Sequence, residues 1–423
     1  MRLIRSKNRF FTNVLQVIRG TAIAQAIMLA VTPFLTRLFS PEAFGELVTY
    51  QAILAFGLVG CAFRYEYAVL LPEEDEVAHD LVLIGLLVAA LVALTMLAAI
   101  GISIGSLGNV SSVLQSVLLF VPFALLLGGW VQILNFLALR EKNFRVTANA
   151  KIIRSVSLSL VSLIGGYLRP TGATLMLADV LSRLMSLALL WAQLSQKVID
   201  HLRKSDVSRL LATARRYRAF PKISLPSSMI NTAAINLTPL MMAANFGLVT
   251  AGLYALVDRV FGAPSALIGT AVGQVYMAEL AEKKRDSPHK VEELFVKVTL
   301  SQAKIAIVPI VVVVMIAPDV FSIVFGELWR ESGVYARYLA LLYFLGFVFT
   351  PIGATLTVLE HQDWQLLWDT SRLAVILLTW ALIHLCELSP EVGLLLYSLT
   401  VSAFIVIYLA LCMGSFRRLR QGT

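Results

Sequence analysis

Charge is what this sequence has least of. Only 14% of its 423 residues are Asp, Glu, Lys or Arg, whereas a soluble domain carries roughly 25%. A chain so poor in charge cannot coat a core against water, so a soluble globular protein is excluded. Cysteine is scarce too: Cys61, Cys386 and Cys412 are the only ones, and no CxxC spacing exists. A disulfide framework or a zinc site is therefore not expected. The five histidines are scattered and form no HxxxH pair. No Gly-rich phosphate loop or nucleophile elbow appears. The acidic run Glu73-Glu74-Asp75-Glu76 is contiguous and reads as a solvated face, not as a metal site. Nothing in this inventory speaks for an enzyme, and no resident cofactor is expected.

What the chain has instead is apolar length. Hydrophobic residues make up 58% and the mean hydropathy is +0.80. A spanning helix needs about 20 apolar residues, and reading the runs against polar breaks gives twelve. They are 14–38, 44–71, 81–104, 113–139, 146–168 and 171–194 in the first half. The second half holds 223–246, 251–277, 294–317, 334–359, 366–386 and 392–413. The first run follows a basic N-terminus but is too long for a signal-peptide core, so it is expected to be a retained span. The predicted fold is an all-α integral membrane protein of about twelve transmembrane helices, in two six-helix lobes around a central cavity.

The net charge of +9 would suggest nucleic acid in a soluble protein. Here the basic residues lie between apolar runs, where they orient the chain and meet anionic headgroups. With both termini cytoplasmic, about 28 Lys and Arg fall inside and about four (Arg37, Arg169, Arg330 and Arg337) outside, as the positive-inside rule requires. Loops on the outer side are short, and the longest connection, 195–222, is basic and lies at mid-chain. This divides the chain into an N-terminal lobe 1–195, a basic cytoplasmic linker 196–222 and a C-terminal lobe 223–423. Within the linker, Val198, Ile199, Leu202, Leu210, Leu211, Ala214 and Tyr217 fall mostly on one helical face. That pattern fits either an interfacial helix on anionic headgroups or an ordinary basic loop.

Four segments carry a resemblance. Leu38-Phe39-Ser40-Pro41-Glu42-Ala43-Phe44-Gly45 resembles the turn after the first span of polysaccharide exporters. Phe63-Arg64-Tyr65-Glu66-Tyr67-Ala68 resembles their second-span motif. Tyr217 to Asn231, with Phe220-Pro221 and Pro226-Ser227, is similar to the start of their seventh span. Ala251-Gly252-Leu253-Tyr254-Ala255-Leu256-Val257-Asp258-Arg259 is similar to their eighth. In that order they resemble the Wzx-type oligosaccharide flippases of the multidrug/oligosaccharidyl-lipid/polysaccharide superfamily. The resemblance implies movement of an undecaprenyl-diphosphate-linked oligosaccharide from the cytoplasmic to the outer leaflet of a bacterial inner membrane. It also implies membrane lipids, a polysaccharide polymerase and a chain-length regulator as partners. Na+ or H+ stays open as a coupling ion.

Charges within the spans are the candidate functional residues, because each costs several kcal/mol near mid-bilayer unless it faces a partner or water. Asp179 and Arg183, four apart on one helix, read first as a neutralising pair. Arg64 and Glu66 lie at the cytoplasmic end of span two, where an arginine can snorkel or serve function. Asp369 and Arg372 are expected in the first turn of span eleven. Arg19 has no acidic neighbour on its helix, and Arg259 follows Asp258, which points about 100° away on an α-helix. By resemblance, Arg19, Arg64 and Arg259 would line a cationic cavity and bind the diphosphate, since a guanidinium fork matches phosphate oxygens. Glu66, Asp179, Arg183 and Asp258 are the candidates for coupling or gating. Gln25, Gln51, Asn231 and Asn236 read as interhelical glue, and Gly262-Ala263-Pro264 as a hinge in span eight. The rival function is a cation-coupled drug or metabolite antiporter of the same superfamily. It needs embedded acids in the N-terminal lobe, and only Asp179 qualifies.

Overall fold

The computed structural model describes residues 2–106, 112–203, 205–287 and 290–421. Lys204 and His289 lie outside the described residues. So do the side chains of the basic groups Arg2, Arg5, Lys7 and Arg9 and Arg417, Arg418 and Arg420. Among the described residues the chain is helical throughout, with no strand.

The helices are α1 (Arg2–Leu38), α2 (Pro41–Gly60), α3 (Tyr65–Ala68), α4 (Asp75–Ser106), α5 (Ser112–Arg140), α6 (Phe144–Leu168) and α7 (Gly172–Leu202). A short amphipathic helix, α8 (Val207–Arg216), follows. Then come α9 (Leu225–Val257), α10 (Ala263–Asp286), α11 (Val291–Phe325), α12 (Arg330–Ile352), α13 (Thr355–Val358), α14 (Gln362–Leu385) and α15 (Pro390–Gln421). Most are apolar around their whole circumference, as helices surrounded by lipid and one another must be. Eleven segments among the described residues are long and apolar enough to cross a bilayer. One of them, Asn236–Asp286, has 51 residues and as a straight helix would reach about 76 Å, more than twice a hydrocarbon core of about 30 Å. Gly247 divides it, with φ 86° and ψ 174°, a conformation only glycine adopts without strain. With 225–246, the part of α9 ahead of Gly247, taken as a separate crossing, the described residues hold twelve candidate crossings.

Local sequence explains the other breaks. Ser40 caps α2 by accepting the Ala43 amide at 3.3 Å, and Pro41 occupies the first helical position, where no donor is needed. Two π-helical turns, Phe220–Ser224 and Asp258–Gly262, stand just ahead of Pro226 and Pro264. A proline removes one ladder bond and crowds the carbonyl four residues back, and the wider turn relieves both. The hinge expected at Gly262-Ala263-Pro264 is thus a π turn beginning four residues earlier.

The two halves repeat one local device. After α5, Lys142 is left-handed (φ 57°) and the Asn143 amide bonds the Ala138 carbonyl at 2.8 Å. After α13, Glu360 is left-handed (φ 68°) and the His361 amide bonds the Leu356 carbonyl at 2.9 Å. Both are Schellman closures, placed after the fourth span of each half.

The chain divides into two compact units, Met1–Ala243 and Ala244–Thr423. In the first, α6 packs between α1 and α7, and α5 against α4, α7 and α2. In the second, α12 packs on α10, α11 and α15. Its core gathers Tyr276, Phe295, Ile352, Leu356, Trp368, Tyr408 and Phe416. The Tyr408 hydroxyl donates to the Gly353 carbonyl at 2.7 Å, and the Trp368 indole donates to the Phe404 carbonyl at 2.7 Å. Each aromatic tip thereby finds a partner away from water. The stretch 196–202, expected as the start of a linker, continues α7 without interruption, and α8 holds half of the rest.

Candidate functional site

Span two ends abnormally. After Gly60 the chain makes a break in which Phe63 (φ 49°) and Arg64 (φ 64°) are both left-handed, and helix resumes as α3. Consecutive left-handed residues that are not glycine are strained, and such strain gathers at functional sites. The break turns Arg64 inward. Its Nε donates to Ser228 Oγ at 2.9 Å, its Nη1 lies 3.5 Å from Glu66 Oε1, and its guanidinium sits 4.6 Å from the Tyr67 ring centroid. Of the two readings given for Arg64, snorkelling or function, the geometry departs from the first: Arg64 sits on a non-helical break and faces protein groups. Glu66 is buried, and Gln132 Nε2 donates to its Oε1 at 3.2 Å. Its Oε2 is buried with no hydrogen-bond partner among the described residues. Removal from water raises the Glu66 carboxyl above the usual glutamate range, opposed by the nearby Arg64.

A second constellation lies on α2, α6 and α7. Asp179 Oδ2 accepts from Arg183 Nε at 2.7 Å and from the Tyr50 hydroxyl at 3.0 Å. Asp179 Oδ1 accepts from Arg154 Nη2 at 3.2 Å and from Arg183 Nη2 at 3.4 Å. These bonds use the roughly four lone-pair sites of a carboxylate. The expected Asp179–Arg183 pair is present, and two partners invisible along one helix complete it.

Both guanidiniums border a cavity of about 330 Å3 in this unit, lined also by Gln132, Asn135, Thr147 and Lys151. Lys151 Nζ donates to Thr21 Oγ1 of α1 at 2.9 Å. Glycine lets the walls close up: a Cβ on Gly128 would come within 2.8 Å of Arg183 Nη1. Three cations thus line the cavity, against one carboxylate already shared between two of them. That balance gives the chamber a positive potential, which attracts anions. Its amide and hydroxyl groups can add hydrogen bonds to an oxyanion or a sugar.

Lys151 and Arg154 are among the roughly 28 basic residues that the positive-inside sum assigns to the cytoplasmic segments, but both lie inside α6. The signal was there: Thr147, Lys151 and Arg154 are spaced i, i+4, i+7, one face of a helix.

The remaining candidates are dispersed. Arg19 is exposed on α1 beside Gly20, whose backbone packs directly on Ala148 of α6. Asp258 and Arg259 belong to the other unit and lie on the π turn, so the α-helical spacing expected for them does not apply. The Tyr343 hydroxyl donates to Asp258 Oδ1 at 3.4 Å. Gly262 leaves room for that carboxylate, since a Cβ there would come within 2.5 Å of it. Asp369 and Arg372 lie about two turns into α14, not in its first turn. Arg372 stacks on Trp368, 4.6 Å from the ring centroid, with Asp369 at 3.7 Å.

Comparison with known proteins places this architecture. The family described as polysaccharide biosynthesis protein matches residues 34–334. Comparison with curated proteins gives no match. Among solved structures, an inward-facing multidrug resistance MATE family transporter of the MOP superfamily is similar, with a TM-score of 0.66 and 14% identity over 96% of each chain. A MOP superfamily transporter from Pyrococcus furiosus, described as having reversed binding-pocket polarity, aligns with a TM-score of 0.54 and 15% identity, over 97% of this chain and 95% of that one. A variant of the Vibrio cholerae MATE transporter VcmN aligns with a TM-score of 0.55 and 14% identity, over 98% and 97%. At these identities the likeness speaks for the fold. This multi-span membrane protein belongs to the polysaccharide biosynthesis protein family and has the fold of the MATE transporters it resembles.

Proposed function

We propose that the protein is a flippase carrying an undecaprenyl-diphosphate-linked oligosaccharide from the cytoplasmic to the outer leaflet of a bacterial inner membrane, by alternating access, for surface polysaccharide synthesis. The observation that carries this reading is the cavity bordered by Lys151, Arg154 and Arg183, whose neighbouring carboxylate, Asp179, is held by two guanidiniums. A lipid diphosphate is a multiple anion, and arginine recognises phosphate oxygens through paired donors. Arg64, turned inward by its strained break, is the next candidate contact, and Arg19 and Arg259 are further candidates by the resemblance. Gln132 and Asn135 offer donors and acceptors to the first sugar.

The antiporter reading needs a carboxylate free to take a cation. Asp179, the acid expected to serve it, already accepts four hydrogen bonds, the cations around it would repel an organic cation, and Glu66, whose Oε2 has no partner among the described residues, already faces Arg64 at 3.5 Å.

Proteoliposomes loaded with a fluorescent undecaprenyl-diphosphate oligosaccharide test the proposal. Unaltered protein should move the lipid between leaflets, and Lys151→Met with Arg154→Gln should slow it at least tenfold. Unchanged flipping in that double variant overturns the cavity's role. Uptake of an organic cation driven by a pH or Na+ gradient, with no lipid movement, overturns the function.

A further inference from the structure

One buried carboxylate fastens the short helix α8. Asp80, fully shielded near the start of α4, accepts from Arg209 Nε at 2.8 Å and Nη2 at 3.3 Å, and from Thr213 Oγ1 at 3.3 Å. His201, at the end of α7, meets the same carboxylate at 2.7 Å. Arg209 also reaches Glu76 at 3.0 Å, and the Tyr65 hydroxyl donates to the Ala214 carbonyl at 3.2 Å. Arg209 and Thr213 therefore define the face of α8 turned toward the protein.

Successive residues turn about 100° around a helix, which places Val207 and Leu211 opposite that face. They are 69% and 55% exposed. Leu202, at the end of α7, is exposed as well. Arg215 borders the Val207–Leu211 stripe, Arg203 and Arg218 stand just beyond the ends of α8, and Arg216 lies toward the clamped face; all four are exposed. A helix with one clamped face, an apolar stripe opposite and arginines at its border and ends has the pattern of an in-plane membrane anchor. The connection 203–206 reaches at most about 14 Å when fully extended, so α8 stays close to the end of α7.

We infer that α8 binds an anionic lipid surface, its arginines meeting headgroup phosphates and its Val207–Leu211 stripe entering the acyl boundary. An acidic protein would satisfy the arginines but leave the stripe in water, so a lipid surface is the better fit. The inference is independent of what the protein transports.

The test uses the full-length protein with Leu211→Cys carrying a spin label, in a Cys386→Ser background that removes the exposed native thiol. It is placed in nanodiscs of phosphatidylcholine alone and of phosphatidylcholine mixed with phosphatidylglycerol. With phosphatidylglycerol present, the ratio of oxygen to nickel-chelate collisions should rise several-fold. Added salt should reverse the rise, as should the variant Arg215→Glu, Arg216→Glu, Arg218→Glu. The salt titration needs no charge variant, so it stands even where that variant folds poorly. A label that stays aqueous in both lipids, or reads the same with and without the anionic lipid, overturns the inference.

Discussion

Arg183 and Asp179 stand one turn apart on α7 with their closest atoms at 2.7 Å, and their side chains are only 8% and 1% exposed. Two charges so far from water would each be expensive to bury alone. They are tolerated because the carboxylate is also bonded by Tyr50 and Arg154, drawing α2 and α6 onto α7. The knot is therefore both an interhelical lock and the inner wall of the cationic cavity.

Replacing Asp179 with Asn should accordingly be costly. It strips the counter-charge from Arg183 and Arg154 together, and breaking a buried pair from one side costs about 3–5 kcal/mol. Thermal unfolding in detergent should show a clear loss of stability for Asp179→Asn. The double variant Asp179→Asn, Arg183→Met should recover much of that loss, because the more deeply buried of the two stranded charges is gone while Arg154 is partly exposed. Equal unfolding temperatures for the wild type and Asp179→Asn would show that the knot does not hold the helices.

How far this was legible in the sequence depends on the range of each interaction. Twelve crossings, the Asp179–Arg183 pair and the turn at Ser40-Pro41 are local, set by hydropathy, one helical turn and one cap. The break at Phe63-Arg64 was not visible, because neither residue favours the left-handed region and nothing in the local sequence demands it. Tyr50 and Arg154 join Asp179 from 129 and 25 residues away, and no periodicity along one helix reports such a meeting. Lys151 and Arg154 were misread for a different reason. The positive-inside rule weighs charges by nearness to a loop, and these two lie in the first turns of α6 while serving its interior face.

Small residues at close helix contacts give a prediction with an internal control. At Gly333 of α12 a Cβ would meet the Ala317 carbonyl oxygen and the Pro318 Cα of α11, each at 2.5 Å. Backbone cannot yield as a side-chain tip does. Gly333→Ala should destabilise by about 1–3 kcal/mol or more. Gly346, on the same helix, has nothing within 4 Å of the same position. Gly346→Ala should be neutral or stabilising, by up to about 1 kcal/mol, through the lower entropy of the unfolded chain. Thermal melts of the two variants should move in opposite directions, and a shared direction would contradict the packing.

Glu66 predicts a pH dependence. Burial raises its carboxyl above the ordinary glutamate range, with Arg64 pulling the other way. The folded state then holds the proton more tightly than the unfolded state, so protonation favours folding. Stability should fall as pH rises from the unfolded value through the raised folded one, and level off above it. Glu66→Gln keeps the shape and removes the titration. Melting temperatures across that window should decline in the wild type and stay flatter in the variant, which should also be the more stable at neutral pH. Parallel curves would place the pH response elsewhere.

Arg64 allows backbone strain and side-chain function to be separated at one position. Its φ of 64° costs an ordinary residue about 1–2 kcal/mol, while its guanidinium bonds Ser228 and faces Glu66. Arg64→Ala loses the contacts and keeps the strain. Arg64→Gly loses the same contacts but adopts the left-handed region freely. If the break exists to aim the guanidinium, both variants should lose lipid flipping to the same extent, and Arg64→Gly should melt higher than Arg64→Ala by roughly 1 kcal/mol. Arg64→Lys keeps the charge without the fork, so it should restore part of the electrostatic attraction and little of the transport. Equal stability for the glycine and alanine variants would mean that the break carries no strain. Near-normal flipping in either would mean that the inward-facing arginine does not meet the substrate.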